Sequence, residues 1–369
     1  MKVECLKEKL KEAVNLAEKI SGRNLTLPIL SAILLEAKNK TLTIRATNLE
    51  VGIELEVPAK IEVGGVVAVN ASILANYLNN LTKEEKINIE LINDNLKLST
   101  DSTSTLIKSL ITDDFPIIPK IDQEHGFEIK ANKLVEGLKS VVFASALSDI
   151  KPEISSVYLY NHNQEELVFV ATDSFRLAEK KVIVSLLNKE DISLIIPFKN
   201  ISELIRIADS LGDNQILISF NKNQLALNTD NLYLTLRVID GVYPDYKQII
   251  PTKFKTELNI KKDDLIGLLK LSTIFSDRFN QIDLTLKPAS NTLEIMSHNQ
   301  EVGENNSSLV IKIKGEPLQI SFNAKYLLDC LNAFSEQIIN LRFTEAGRPL
   351  MIEGLSDNSF SYLVMPINK

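Results

Sequence analysis

Hydrophobic positions fall at helical spacing in three separated stretches, and each stretch follows a short alternation of apolar and polar residues. Met1 to Ile20 carries Leu6, Leu10, Ala13, Val14, Ala17 and Ile20 on one helical face after Val3 and Cys5. Phe127 to Ala144 repeats the plan, with Phe127 and Ile129 before a stripe of Leu134, Leu138, Val141 and Val142. Leu258 to Phe275 gives it a third time, with Leu258 and Ile260 before Leu265, Leu268, Leu269 and Ser272. After each helix the period changes to two, which predicts a pair of strands, the first ending in a small polar turn: IRATNLE, VATDSFR and IMSHNQE. The alignment of Thr47, Thr172 and Ser297 sets a constant interval of 125 residues (47, 172, 297).

Further elements keep this phase. A second amphipathic helix is predicted in VNASILANYLNNL, IPFKNISELIRIA and FNAKYLLDCLNAF. Alternating strands follow around Leu96, Leu225 and Leu350. Each copy then closes on an apolar strand at a proline, in SLITDDFPIIP, RVIDGVYPDYKQIIP and FSYLVMPINK, because proline cannot donate to a continuing ladder. The fold class is therefore α+β, in three tandem copies of one domain with two helices packed on antiparallel sheets. Breaks in the pattern predict domains at 1–121, 127–251 and 252–369.

Composition narrows the function classes. The chain has 369 residues, 44% of them hydrophobic, enough for several domains that each bury a core. Lysines and glutamates interrupt the leucines of Met1 to Ile20, unlike a signal peptide, and no apolar run is long enough to span a bilayer, so a cytoplasmic protein is expected. Cys5 and Cys330, the two cysteines, stand far apart and predict reduced core residues. His125, His162 and His298 lie in polar, turn-like stretches and predict surface positions. The net charge of −7 argues superficially against nucleic acid, yet a protein with an acidic exterior and a basic channel has the same total.

Compact catalytic signatures are missing: no phosphate-cradling G-x-x-x-x-G-K-[ST], no H-E-x-x-H and no G-x-S-x-G occurs. Asp113-Asp114 resembles half a metal site, but its position before Phe115-Pro116 predicts a turn. Thr172-Asp173-Ser174 places a hydroxyl beside an acid with no histidine near to act as base, and again predicts a turn. Neither a metal nor a cofactor is expected. On residues alone, a protein-binding scaffold and an enzyme whose site is assembled from three domains both remain open.

The three tandem copies, with ATDSFRLA in the second, YPDYKQIIP at its close, LTLPILSAILLEA in the first and LVMPINK at the C-terminus, resemble the bacterial DNA sliding clamp family, the β subunit of DNA polymerase III, over the whole chain. The resemblance implies a non-catalytic, head-to-tail homodimeric ring around duplex DNA. Its partners are then the polymerase III catalytic subunit, the clamp loader and other proteins bearing a clamp-binding motif, with no membrane involved. Helix lysines fit a basic inner wall: Lys199, Arg206 and Lys325 from the second helices, with Lys7, Lys11, Lys133, Lys139 and Lys270 from the first. Arg23 and Lys151 match DNA-facing loop positions of the family. The family's peptide-binding groove maps onto Ile154, Thr172, Ser174, Phe175, Arg176, Leu177, Pro244, Gln248, Ile249, Leu363, Val364, Met365, Pro366 and Ile367, of which Leu177, Ile249 and Leu363 also fit a packed core. Ser174, Phe175 and Gln248 replace commoner glycine, histidine and arginine. The implied dimer interface takes Ile274 and Phe275 against Ile107.

Overall fold

A computed structural model describes residues 1–22, 27–82, 84–122, 126–148, 150–184 and 191–367. Arg23 and His125 lie outside the described residues. Contacts divide the chain into two compact units, one holding Met1–Asn132 and Ser202–Val238, the other Lys133–Ser185, Asp191–Ile201 and Ile239–Lys369.

The repeated pattern folds into a repeated topology. Each copy opens on a strand that runs straight into a helix: Lys2–Leu6 into α1 (Lys7–Ile20), Gly126–Lys130 into α3 (Ala131–Val141), and Thr256–Lys261 into α5 (Lys262–Ile274). The second helices are α2 (Ala71–Asn80), α4 (Phe198–Ser210) and α6 (Ala324–Leu331). In every copy the opening strand pairs antiparallel with the strand after the second helix: Lys86–Ile92, Gln215–Phe220 and Ile338–Phe343. In every copy, too, the strand leading into the second helix pairs with the one that follows the first: Gly65–Asn70 with Ala32–Lys38, Ser193–Pro197 with Ser156–Asn161, Leu318–Asn323 with Gln281–Lys287. The first residue of each opening helix, Lys7, Ala131 or Lys262, donates its amide to Glu85, Asn214 or Gln337, at 2.9, 2.9 and 2.8 Å. Side chains at Asn70 and Asn323 cap α2 and α6 by accepting amides of the first turn.

One pairing rule joins successive copies. The strand after the first copy's polar turn, Val51–Val63, pairs with the second copy's closing strand Leu232–Arg237. The strand after the second copy's turn, Arg176–Ile183, pairs with the third copy's closing strand Phe360–Val364. The equivalent third-copy strand, Gly303–Val310, stands at the edge of a four-stranded sheet, and the first copy's Ser104–Ile107 ends its own sheet.

Several expectations need correction. Leu6 ends the opening strand and is exposed, while Lys7 takes the buried place at the start of α1, with only 3% of its surface accessible. Its ammonium donates to the carbonyl of Leu81 at 3.1 Å and pairs with Glu8, so Lys7 closes the C-terminal end of α2 and does not line a channel. Lys262 does the same in the third copy, reaching the Phe334 carbonyl beyond α6 at 2.8 Å. The third polar turn also falls later than expected: Thr292–Asn299 runs through Ser297, because it stays paired with Gly303–Val310 as far as Asn299. Prolines do not end the closing strands of the first two copies. Ser104–Ile107 and Leu232–Arg237 stop well before Pro116 and Pro244, which belong to the segments beyond.

Other expectations hold. Leu96, Leu225 and Leu350 are buried at matching places, Cys5 and Cys330 are buried free thiols, and His162 and His298 are on the surface. Burial pushes the Cys5 thiol up to about 12 and the Cys330 thiol upward as well. Asp113-Asp114 sits in a turn that the Phe115 amide closes onto the Thr112 carbonyl at 3.0 Å.

Candidate functional site

The polar turn at Thr172 to Arg176 is built almost entirely by its own side chains. Thr172 Oγ1 donates to the Arg176 carbonyl at 2.6 Å and accepts the Ser174 amide at 3.1 Å. Asp173 Oδ1 accepts the amides of Phe175 and Arg176 at 2.9 and 3.0 Å. Ser174 is driven to a φ of 78°, a left-handed conformation that explains why glycine would suit the position. The first copy makes the same turn with Thr47, Asn48 and Leu49, whose φ is 77°. The hydroxyl and carboxylate that resembled catalytic groups are therefore framework.

That framework presents an apolar side chain to solvent. Phe175 follows the strained residue and is 62% exposed. Arg176, next along, turns inward: its Nε donates to Asp173 Oδ2 at 3.0 Å and its Nη1 to Asp329 Oδ2 at 2.7 Å. The Tyr326 ring lies 4.3 Å below the guanidinium. Burial alone would lower the Arg176 pKa, but the bonds to Asp329 and Asp173 outweigh it and hold the charge. Arg176 thus ties the turn to α6.

Leu177 stands opposite Leu363 in the register between Arg176–Ile183 and Phe360–Val364, and both are buried with Val170, Ile195 and Met351. These two sit in the core. Ile249, which also fitted a core, is 51% exposed. Beyond Val364 the chain is held by backbone bonds: Met365 donates to the Phe175 carbonyl at 2.8 Å and Ile367 to Ser321 at 2.9 Å. The apolar tail is docked, which leaves Met365 fixed beside Phe175 and partly exposed.

The segment after Ile239 crosses the same sheet face. Tyr243 stacks on Tyr158 with centroids 4.8 Å apart, and Tyr158 stacks on Tyr160 at 5.0 Å. Exposed residues of the segment include Pro244, Gln248 and Ile249; the Gln248 amide is engaged by Asp245 Oδ2 at 2.8 Å. Ile154 is half-buried at the start of the strand region that carries Tyr158. Thr172 and Val364 are buried, Ser174 is exposed, and Pro366 is partly covered. Motif reading missed Tyr158, Tyr160, Glu179, Tyr243, Tyr246, Tyr326 and Asp329. The alternation V-Y-L-Y at 157–160 was the available signal, since it places two tyrosines on one strand face.

Of the proposed DNA-facing residues, Lys151, Lys199 and Lys325 are exposed, the last two in the first turns of α4 and α6. Arg206 is partly exposed and paired with Glu203. Lys133 pairs with Glu136 at 2.8 Å; Lys139 and Lys270 are exposed and Lys11 is half-buried. At the third-copy edge Ile274 is exposed and Phe275 partly covered. Ile107 is only 5% exposed and packs within its own sheet; its neighbour Leu106 is the residue that faces out. Alternation along the strand makes one of the pair point inward, and the core takes Ile107.

Family models for the DNA polymerase III beta subunit match the chain from end to end: the N-terminal domain over residues 1–119, the central domain over 128–245 and the C-terminal domain over 247–368. The beta sliding clamp of Bacillus subtilis is 28% identical and that of Synechococcus elongatus 27%, each match covering 100% of this chain and 99% of the relative. The crystal structure of the Bacillus subtilis DNA polymerase sliding clamp superposes with a TM-score of 0.94 at 27% identity, covering 100% of this chain and 99% of that one. That of the Thermotoga maritima beta subunit gives 0.92 at 27% identity, with the same coverage. Three consecutive domain matches and one repeated topology lead to one conclusion: the chain belongs to the DNA polymerase III beta subunit family, the bacterial sliding clamps, which are non-catalytic processivity factors of DNA replication.

Proposed function

We propose that two copies of this chain join head to tail into a ring of six domains, at 1–121, 127–251 and 252–369 of each chain, which encircles duplex DNA in the cytoplasm and tethers DNA polymerase III to it. The pairing rule between copies carries this reading. Strand after polar turn pairs with closing strand of the next copy twice within the chain, and the third application requires a partner for Gly303–Val310. Ser104–Ile107 of a second chain is the closing strand that satisfies it, a heterologous contact that closes when each chain offers both edges. Exposed Leu106 on one side and Ile274 on the other supply apolar contact at that seam, with Phe275 beside it.

The wall facing DNA takes Lys151, Lys199, Arg206 and Lys325, together with Arg23, as phosphate contacts that read no sequence. The exposed apolar surface of Phe175, Ile249 and Met365, set on the buried Leu177 and Leu363, serves as the groove for short motifs of the polymerase catalytic subunit, the clamp loader and other clamp-binding proteins. Burying one leucine and one phenylalanine of a peptide there yields about 1.5–3 kcal/mol each before ordering costs, which suits partners that must exchange.

The test is topological. The purified protein is mixed with clamp loader, ATP and nicked circular DNA, and the DNA is then linearised in high salt. Retention on circles with loss from linear DNA is the expected result; failure to stay on circles overturns encirclement and leaves a protein-binding scaffold.

A further inference from the structure

We propose that a buried hydrogen bond between Tyr246 and Glu179 latches the groove wall formed by the segment after Ile239, making Tyr246 a positioning residue for peptide capture that never touches the peptide. This rests on the groove reading given above. The wall segment is anchored at its two ends by backbone: Ile239 donates to Ile195 at 2.9 Å and Lys255 to Phe343 at 2.8 Å. Between them it has one short helical turn, Tyr246–Ile249, which carries the exposed Gln248 and Ile249. A span with so few backbone bonds to the sheet keeps its place through side chains.

Tyr246 supplies the polar part of that attachment. Its hydroxyl lies 2.5 Å from Glu179 Oε2 and 2.8 Å from the Tyr160 hydroxyl. A carboxylate only accepts, so the Tyr246 proton goes to Glu179 and the Tyr160 proton goes to Tyr246. Glu179 is 9% exposed and projects from Arg176–Ile183, the strand that begins at the groove turn. Lys247 lies 5.2 Å from the Tyr160 ring, and the Tyr243–Tyr158–Tyr160 stack covers the flank. The other carboxylate oxygen, Oε1, lies 3.9 Å from the Lys181 ammonium, but Oε2 has the Tyr246 hydroxyl as its donor, and breaking that bond leaves Oε2 seeking water through the wall. The carboxylate therefore favours one position of the segment, with Pro244 and Ile249 facing solvent.

Tyr246→Phe deletes one oxygen and keeps the ring in place. A fluorescent peptide bearing the clamp-binding motif of the polymerase III catalytic subunit, followed by anisotropy, is expected to bind this variant about fivefold to thirtyfold more weakly, mainly through faster dissociation. Amide hydrogen exchange of residues 243–250 is expected to accelerate while exchange in the neighbouring strands is unchanged, a local response that general destabilisation does not give. Glu179→Gln, whose amide oxygen can still accept but carries no charge, is the second variant, and combining it with Tyr246→Phe is expected to give less than the product of the single effects, since both act on one contact. Peptide affinity of Tyr246→Phe within twofold of the unmodified chain, or effects of the two substitutions that simply multiply, overturns the latch. Absence of binding by the unmodified chain overturns the groove reading and the role of Tyr246 with it.

Discussion

Replacing Lys7 with methionine separates a structural lysine from a DNA-facing one. The substitution keeps the aliphatic stem, so the packing of a residue that is only 3% exposed is largely conserved. What disappears is the bond from the ammonium to the Leu81 carbonyl at 3.1 Å. Leaving a buried carbonyl without a donor costs about 1–3 kcal/mol. Losing a positive charge at the end of α2 adds about 0.3–1 kcal/mol. Against this, methionine is relieved of the desolvation that a buried ammonium suffers. The net expectation is a destabilisation of roughly 1–2 kcal/mol. At about 2–4 °C per kcal/mol for a unit of this size, the thermal midpoint should fall by several degrees. Urea unfolding followed by circular dichroism measures it, with retention on circular DNA at rising salt as the second readout. A channel lysine behaves oppositely: its loss leaves stability alone and reduces the salt slope by about one. Lys325→Met, at an exposed position, is the control. The reasoning fails if Lys7→Met unfolds within 0.5 kcal/mol of the parent, roughly the scatter of surface substitutions, while DNA retention weakens.

Two further outcomes are expected. Truncation after Val364 removes Met365 and its bond to the Phe175 carbonyl, so peptide binding should vanish while dimer size in analytical ultracentrifugation is unchanged; undiminished peptide affinity would remove the groove assignment. Burial pushes the Glu54 carboxyl up, but hydrogen bonds from Arg45 and Lys120 outweigh it and hold its pKa below the usual 4.5. The stability Glu54 contributes is therefore present above pH 4.5 and lost as pH falls through the lower folded value, so the deficit of Glu54→Gln should shrink on acidification. A deficit independent of pH between 7 and 3 contradicts that linkage.

The repeat was legible because both of its periods survive in each copy: leucines at helical spacing for the helices, alternation for the strands, and matched buried positions at Leu96, Leu225 and Leu350. Legibility failed where side-chain type and environment disagree. Leucine at position 6 and lysine at 7 exchange the burial their polarity suggests, because the buried site offers a helix-end carbonyl that only the lysine can satisfy. Ile107 and Leu106 are equally apolar, and nothing in composition says which points inward. The groove was reached through resemblance, since its members come from separated segments. Tyr246 and Glu179 escaped because their partnership spans 67 residues, and a polar connecting segment gives no period to read.

The duplicated turn bears on how recognition changes over time. Thr47 and Thr172 build the same backbone frame with the same hydroxyl bonds, and each frame displays an exposed apolar residue next to the left-handed one or at it, Leu49 in one and Phe175 in the other. The frame draws its rigidity from threonine and its acidic or amide neighbour, not from the displayed side chain. Substitution at the display position therefore leaves the scaffold's folding almost untouched. Lineages can drift in ligand preference by exchanging a display residue such as Phe175, which lies beside the left-handed position and not at it.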